Sequence, residues 1–355
     1  MRIGIPKEIK PKEGRVGMIP HAVADLVHAG HEVFVQKGAG LLSGFSDKHY
    51  SQAGAVLCAD AEETYAKGDM IVKVKEPVQG DLSYLEKRHL LFCYLHLAPN
   101  PELTKSLLDI GLTAVAFETV EEDGLLPLLK PMSQIAGRVS IDAGSHYLHQ
   151  SMGGRGVLLG GVPGTDRGHV VIIGAGVAGS AAAATAASMG AQVTVFDNNE
   201  EALNRAALIA DNVTARYAYK ASIAEALEDA DLVVGAVLLV GAKAPRIVTR
   251  EMVRAMPNKS LIVDISIDQG GCVETMWPTN YEAPVFEEEG VLHMGVTNMP
   301  GAVPRTASQA LSGAILPYAQ WLAAGELDQH AALIKGINVR SGKIIHPALV
   351  DCFKP

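Results

Sequence analysis

The sequence predicts an α/β fold of two doubly wound domains that flank a cleft, the first of them discontinuous in the chain. Three observations carry that prediction. Short apolar runs rich in valine and isoleucine alternate with longer amphipathic segments, the pattern of parallel strands covered on both faces by helices. The alternation breaks once, around Leu126 to Thr165, and a second set of strands begins after it. That second set opens with a strand, a glycine-rich turn and an alanine-rich helix.

Taken in order, the strand candidates of the first third are MRIGIP, HEVFVQ, MIVKVK, LLFCYLH and TAVAFETV. The segment HAVADLVHAG repeats apolar residues at i, i+3 and i+4 and reads as a helix. KPMSQIAGRVSIDAGSHYLHQ then reads as one long helix and GGRGVLLGGVPGTDRG as a glycine-rich crossing. The second set of strands is HVVIIGAG, AQVTVFD, ADLVVGAVL, SLIVDIS and VLHMGVTN, with ASIAEALEDA as a helix among them. From Ala307 the pattern is helical to the end, apart from a turn around Arg340 to Lys343. These boundaries give a first domain of residues 1–128 and a second of 129–305, and fold economy returns residues 306–355 to the first. No low-complexity linker separates them, so a stiff helical hinge is expected beside the cleft.

Composition narrows the function. The chain has 355 residues, 48% of them hydrophobic and 19% charged, ample for two buried cores. Its net charge of −9 argues against a general nucleic-acid binder, which needs a positive field. Cys58, Cys93, Cys272 and Cys352 are widely spaced, so neither a disulfide framework nor a zinc knuckle is expected, and a cytoplasmic location is. The N-terminus shows no signal-peptide pattern. Val170 to Phe196 lacks charge and is long enough to span a membrane, but alanine and glycine dominate its middle. A buried strand, turn, helix and strand explain the same residues better. The histidines do not cluster at ligand spacing, so no metal site is expected.

The glycine-rich turn follows HVVII as Gly174-Ala-Gly176-Val-Ala-Gly179. In this pattern the first glycine permits the turn, the second lets backbone approach a pyrophosphate, and the third lets helix and strand pack closely. The phosphates then sit on the free amides and positive dipole of the helix N-terminus. AQVTVFD supplies the next strand and ends in Asp197, where a carboxylate would bind ribose hydroxyls. A carboxylate repels a 2′-phosphate, so the cofactor is read as NAD rather than NADP.

Polar residues that end apolar strands form a second constellation, because parallel sheets bind ligands beyond their carboxyl ends. Lys75 ends MIVKVK, His96 ends LLFCYLH, Asp268 closely follows SLIVDIS, and Asn298 ends VLHMGVTN. Arg15 sits in a Lys-Glu-Gly-Arg turn after the first strand. Each has a plain alternative. Arg15 could be a surface cation, Lys73 and Lys75 could both be solvated, and Asp264 and Asp268 could cap turns. Together, a cation for a carboxylate, a lysine, a histidine and an acid near a nicotinamide are what amino-acid oxidation requires.

MRIGIPKEIK, GHEVFVQKGAG, IVKVKEP, LHLA, PMSQIAGR, GGRGVLLGGVPG, VVIIGAGVAG, GAVLLVGAKAP, VDISIDQGG and NMPGAVPRT run in the order and spacing of the alanine dehydrogenase family. The chain resembles that family over essentially its whole length. The resemblance implies two Rossmann-like domains and reversible, NAD-dependent oxidation of L-alanine to pyruvate and ammonium by a homohexamer. It assigns substrate-carboxylate binding to Arg15, substrate contact to Lys75, acid/base work to His96 and a catalytic carboxylate to Asp268. It also places Asn298 beside substrate and nicotinamide, Ser133 near the cofactor phosphates, and Asp197 on the ribose. Ile19, Gln134, Ala202 and the Thr306–Gln309 run depart from the family pattern. The NAD-binding component of proton-translocating transhydrogenase is similar in fold and glycine framework, but looks different at Lys75 and His96. It is the alternative, together with a related small-amino-acid dehydrogenase.

Overall fold

The computed structural model describes residues 1–237 and 244–353, and in it the Val/Ile-rich runs form short strands. Part of the GAVLLVGAKAP run, residues 238–243, lies outside the described residues. In chain order the strands are β1 Arg2–Ile5, β2 Glu32–Gln36, β3 Val56–Cys58, β4 Met70–Val72, β5 Leu90–Cys93 and β6 Thr113–Ala116. There follow β7 His169–Ile173, β8 Gln192–Asp197, β9 Val213–Tyr217, β10 Leu232–Gly235, β11 Leu261–Asp264, β12 Phe286–Glu288 and β13 Val291–Met294. Strands β14 Ile337–Arg340 and β15 Lys343–Ile344 close the series. The chain divides into two compact units, Met1–Met132 with Val303–Pro355, and Ser133–Ala302.

The first unit holds a sheet in the order β15-β14-β6-β5-β4-β1-β2-β3. Its six strands from β6 to β3 are parallel. The order reverses between β1 and β4, so the segments leaving these two strands flank the switch point where α/β sheets take ligands. The second unit holds a sheet in the order β12-β13-β11-β10-β7-β8-β9, with its switch point between β7 and β10. Both units therefore wind in the doubly wound order, which is the Rossmann arrangement the sequence predicts.

Alternation along each strand explains the two-faced burial. On β7, Val170 and Ile172 enter one core while Val171 and Ile173 enter the other. The uncharged stretch from Val170 to Phe196 is β7, the helix Val177–Ser188 and β8. Among the described residues no helix is long and apolar enough to cross a membrane.

The chain end departs from expectation. Instead of helix throughout, Pro304–Ala323 and Ala331–Gly336 are followed by the β14–β15 hairpin and only then by the helix Pro347–Cys352. β14 pairs antiparallel with both β15 and β6. Ser341 and Gly342 take φ of +52° and +74°, a two-residue reversal matched to the strand twist. The same device, Glu289 and Gly290 at +53° and +77°, joins β12 antiparallel to β13. Each parallel sheet thus carries an antiparallel edge that helical periodicity does not reveal.

Candidate active site

Arg15 lies in the segment that leaves β1, and this stretch is held by side chains rather than by a sheet. The Val16 N–H donates to Ser308 Oγ at 3.0 Å and the Ile19 N–H to Ser312 Oγ at 3.0 Å, both on the helix Pro304–Ala323. Ser43 Oγ donates to the Gly14 carbonyl at 2.8 Å, and the Tyr50 hydroxyl to that of Met18 at 2.8 Å. Buried backbone outside regular structure needs such partners. Arg15 is itself only 2% exposed. Its Nε and Nη2 donate to Glu13 at 2.7 and 2.6 Å, a fork-on-carboxylate pair, and Nη1 reaches Met132 Sδ at 3.2 Å. Burial works against the guanidinium charge, and the Glu13 hydrogen bond and charge outweigh it, so its pKa rises.

Strand β4 stops at Val72, and Lys73 to Lys75 continue beyond it. A shared solvated face for the two lysines is not what the structure shows: Lys75 is half-buried and Lys73 is 1% exposed. Lys73 Nζ lies 3.4 Å from Glu8 Oε2 and 3.3 Å from Asp81 Oδ2. A buried ammonium needs such counter-charges, and here two carboxylates provide them. Glu76, next to Lys75, pairs with Lys10. Burial alone would raise the Glu76 pKa, but Lys10 and Lys75 outweigh it and hold the carboxyl below its usual range.

His96 is exposed and lies three residues beyond the end of β5. It has φ +46°, a left-handed backbone that costs a non-glycine residue about 1–2 kcal/mol. Glu118 holds it there, accepting the His96 N–H at 2.7 Å and the Leu95 N–H at 3.2 Å. The imidazole stacks on Tyr94, with ring centroids 5.9 Å apart and planes 11° from parallel. Tyr94 is buried, donates to the Leu128 carbonyl at 2.7 Å and packs edge-on against Phe117. Its N–H donates to the Val74 carbonyl at 3.0 Å, one residue before Lys75. Burial raises the Tyr94 pKa, and the nearby Arg15 charge opposes that rise. Tyr94 is thus stacked on by His96, hydrogen-bonded through its N–H to the residue before Lys75 and within reach of the Arg15 charge, all within one unit.

In the second unit the glycine turn has the geometry a dinucleotide needs. Gly174 has φ +105°, and a Cβ there would lie 2.5 Å from the Ala236 carbonyl oxygen. A Cβ on Gly179 would sit 1.7 Å from the Gly174 carbonyl oxygen, so the helix and β7 meet at glycine contact. A Cβ on Gly176 would meet nothing within 4 Å, and no side chain caps the helix Val177–Ser188 that Gly176 begins. The open side of this residue and the uncapped amides fit a pyrophosphate. Asp197 ends β8. Its Oδ2 accepts the Ala175 N–H at 2.6 Å and its Oδ1 the Asn199 N–H at 2.8 Å, so the carboxylate also braces the turn. Ser133 is half-buried in the first turn of the helix Lys130–Tyr147.

Asp268 and Asn298 are brought together. Asp268 is exposed on the turn after β11, and the Asn298 N–H donates to its Oδ2 at 3.3 Å. Asn298 has φ +59°, a conformation asparagine tolerates better than most residues. Asp264, at the end of β11, is fully buried and organises this turn. It accepts from the N–H groups of Ser266 at 2.9 Å, Cys272 at 2.8 Å and Val273 at 3.3 Å. Burial raises its pKa and these hydrogen bonds oppose the rise. Of the two aspartates, Asp264 is the structural cap and Asp268 the exposed group.

The chain matches two family models, the N-terminal domain of alanine dehydrogenase/PNT over residues 4–136 and the C-terminal domain over 140–347. It is 48% identical to the alanine dehydrogenase of Methanococcus maripaludis, covering 98% of this chain and 95% of that one. It is 45% identical to that of Bacillus subtilis, covering 98% and 94%. The chain belongs to the alanine dehydrogenase/PNT family. A solved L-alanine dehydrogenase superposes with a TM-score of 0.96 at 49% identity, covering 99% of both chains. A transhydrogenase structure from Sinorhizobium meliloti is similar at a TM-score of 0.85 and 26% identity, covering 98% of this chain and 100% of that one.

Glu13, Tyr94 and Glu118 are groups of this alanine dehydrogenase/PNT chain that sequence reasoning missed. Glu118 was within reach, since it follows TAVAF at the carboxyl end of a strand, the rule that singled out His96. Glu13 stood among charges that read as surface, and nothing in the sequence marks it as the partner of Arg15.

Proposed function

We propose that the chain is an NAD-dependent L-alanine dehydrogenase, an oxidoreductase that interconverts L-alanine with pyruvate and ammonium. One combination carries the reading: identity of 45–49% to alanine dehydrogenases along the chain, with the His96 ring stacked on Tyr94 and the Tyr94 N–H bound to the residue before Lys75. When bound, NAD supplies the hydride acceptor. The glycine turn and the start of the helix Val177–Ser188 would hold its phosphates with Ser133, and the spare lone pairs of Asp197 would take the ribose hydroxyls.

Arg15 anchors the substrate carboxylate by charge-assisted hydrogen bonds. Anchoring confines the substrate Cα, which removes most of the entropic cost of alignment. Lys75 polarises the keto oxygen in the reductive direction. His96 carries protons to and from the substrate oxygen and nitrogen, since an imidazole can both donate and accept a proton. Asp268 orients the attacking water, accepts the amine proton and stabilises positive charge on the imine nitrogen. Asn298, bonded to Asp268, adjoins both substrate and nicotinamide in this reading.

The reading extends to a homohexamer, which the family resemblance supports, and to the cytoplasm, where the free thiols of Cys58, Cys93, Cys272 and Cys352 are at home. The likeness to a transhydrogenase at 26% identity favours a second reading, an NAD-binding component of a membrane complex. One assay separates them. The protein is given NAD at alkaline pH with L-alanine, L-serine or glycine, and NADH formation is followed. Fastest turnover of L-alanine is expected. Preference for serine or glycine would make the chain a related small-amino-acid dehydrogenase, and NAD binding without turnover would favour the transhydrogenase reading.

A further inference from the structure

A buried ion cluster underlies the first unit's proposed substrate groups, and none of its members touches the reaction in the mechanism above. Lys73 Nζ lies between Glu8 Oε2 and Asp81 Oδ2, at 3.4 and 3.3 Å, and the Tyr65 hydroxyl donates to Asp81 Oδ1 at 2.8 Å. Glu8, Lys73 and Asp81 are all buried. A cluster of this kind is a poor source of stability, because apolar side chains of similar volume generally do as well or better. Its placement is the more informative property. Glu8 belongs to the segment that leaves β1 and carries Arg15, whereas Lys73 belongs to the segment that leaves β4 and carries Lys75. These adjacent strands form the switch point of the sheet. Glu8 bridges the two segments twice, through Lys73 and through Oε1, which accepts the Val74 N–H at 2.7 Å. Val74 immediately precedes Lys75, and its carbonyl accepts the N–H of Tyr94 at 3.0 Å.

We propose that Glu8 is a positioning residue for the substrate site: by holding the Val74 N–H and Lys73, it fixes Lys75 relative to the Arg15 segment. Asp81 serves as a control within the same cluster, since it neutralises Lys73 yet does not touch Val74. The inference rests on the proposed reaction. Glu8→Gln leaves a single acceptor oxygen for two donors, so one bridge is lost. Glu8→Asp keeps the charge and withdraws the acceptor by one methylene. Misplacing a substrate group by ~1 Å costs up to ~100-fold in rate.

The test compares Glu8→Gln, Glu8→Asp and Asp81→Asn with the full-length chain. It measures KM and kcat for pyruvate with ammonium and NADH, NADH affinity by fluorescence, and the melting temperature. The two Glu8 variants are expected to lose ~10–100-fold in kcat/KM, chiefly through KM for pyruvate, with NADH affinity within about twofold. Asp81→Asn is expected to lower the melting temperature while KM stays within about threefold. An unchanged KM in folded Glu8 variants, an equal KM rise in Asp81→Asn, or failure of both Glu8 variants to fold would overturn the inference and leave Glu8 as a stability element. A wild-type chain inert toward pyruvate and ammonium would instead defeat the reaction assignment itself.

Discussion

His96 has φ +46°, and the energy of that conformation is met by Glu118, whose carboxylate takes two consecutive N–H groups. Strain of this sort persists only where neighbours over-determine it. Glu118→Ala should therefore release the turn, lowering kcat at least ~10-fold while NADH affinity, measured by fluorescence, is retained. The glycine turn gives a sharper pair of expectations. Gly179→Ala drives a methyl into the Gly174 carbonyl oxygen, 1.7 Å from the ideal Cβ position, and should cost at least about 1–3 kcal/mol in urea unfolding. Gly176→Ala meets no protein atom within 4 Å, so stability should change by less than about 1 kcal/mol. NAD affinity should nonetheless fall strongly in Gly176→Ala, because its methyl would stand where the pyrophosphate approaches. Equal unfolding curves for the two variants would contradict this division of roles.

At the scale of elements, the second sheet offers a pH test. On β13, His293 is fully buried. Its Nδ1 lies 2.9 Å from the Val291 carbonyl, which can only accept, so Nδ1 carries the proton and Nε2 accepts from the Thr275 hydroxyl at 2.7 Å. Both nitrogens of a neutral ring are thus satisfied, and burial pushes the His293 pKa below its ordinary value. Burial does the same to His89, with the Arg88 charge adding to the shift. The unfolded chain takes up these protons near pH 6.5 and the folded chain only at lower pH. Their stabilising contribution is complete above about pH 6.5 and declines as the pH falls toward the lowered folded values. The urea midpoint should drop between about pH 7 and 5.5, and His293→Gln should flatten that slope.

The same elements show why parts of the fold were legible and others were not. The parallel strands announced themselves because, buried on both faces, they must be nearly continuous Val/Ile runs. The edge hairpins did not: β12 is Phe-Glu-Glu and β14 is Ile-Asn-Val-Arg, too polar for that signature, and only the Glu289-Gly290 and Ser341-Gly342 turns betray them. That Lys75, His96, Asp268 and Asn298 follow strand ends was legible from the apolar runs before them. Lys73 was not, since its burial depends on Glu8 and Asp81, and no local pattern brings three such residues together.

For the whole molecule, two sheets of the same winding each present a switch point, one flanked by the segments that carry Arg15 and Lys75 and the other by the glycine turn. Light scattering should return six times the chain mass if the homohexamer reading is right, and a monomer would contradict it. If the proposed roles are divided between the units, the second unit should bind NADH whether or not the first unit's proposed substrate groups are intact. Pyruvate- and ammonium-dependent NADH oxidation by the wild type, Lys75→Ala and His96→Ala, with NADH binding measured on the same samples, tests this most directly. The wild type is expected to turn over, and the two variants to bind NADH normally but lose ~10³-fold or more of the activity. Activity near the wild-type level in either variant would contradict it.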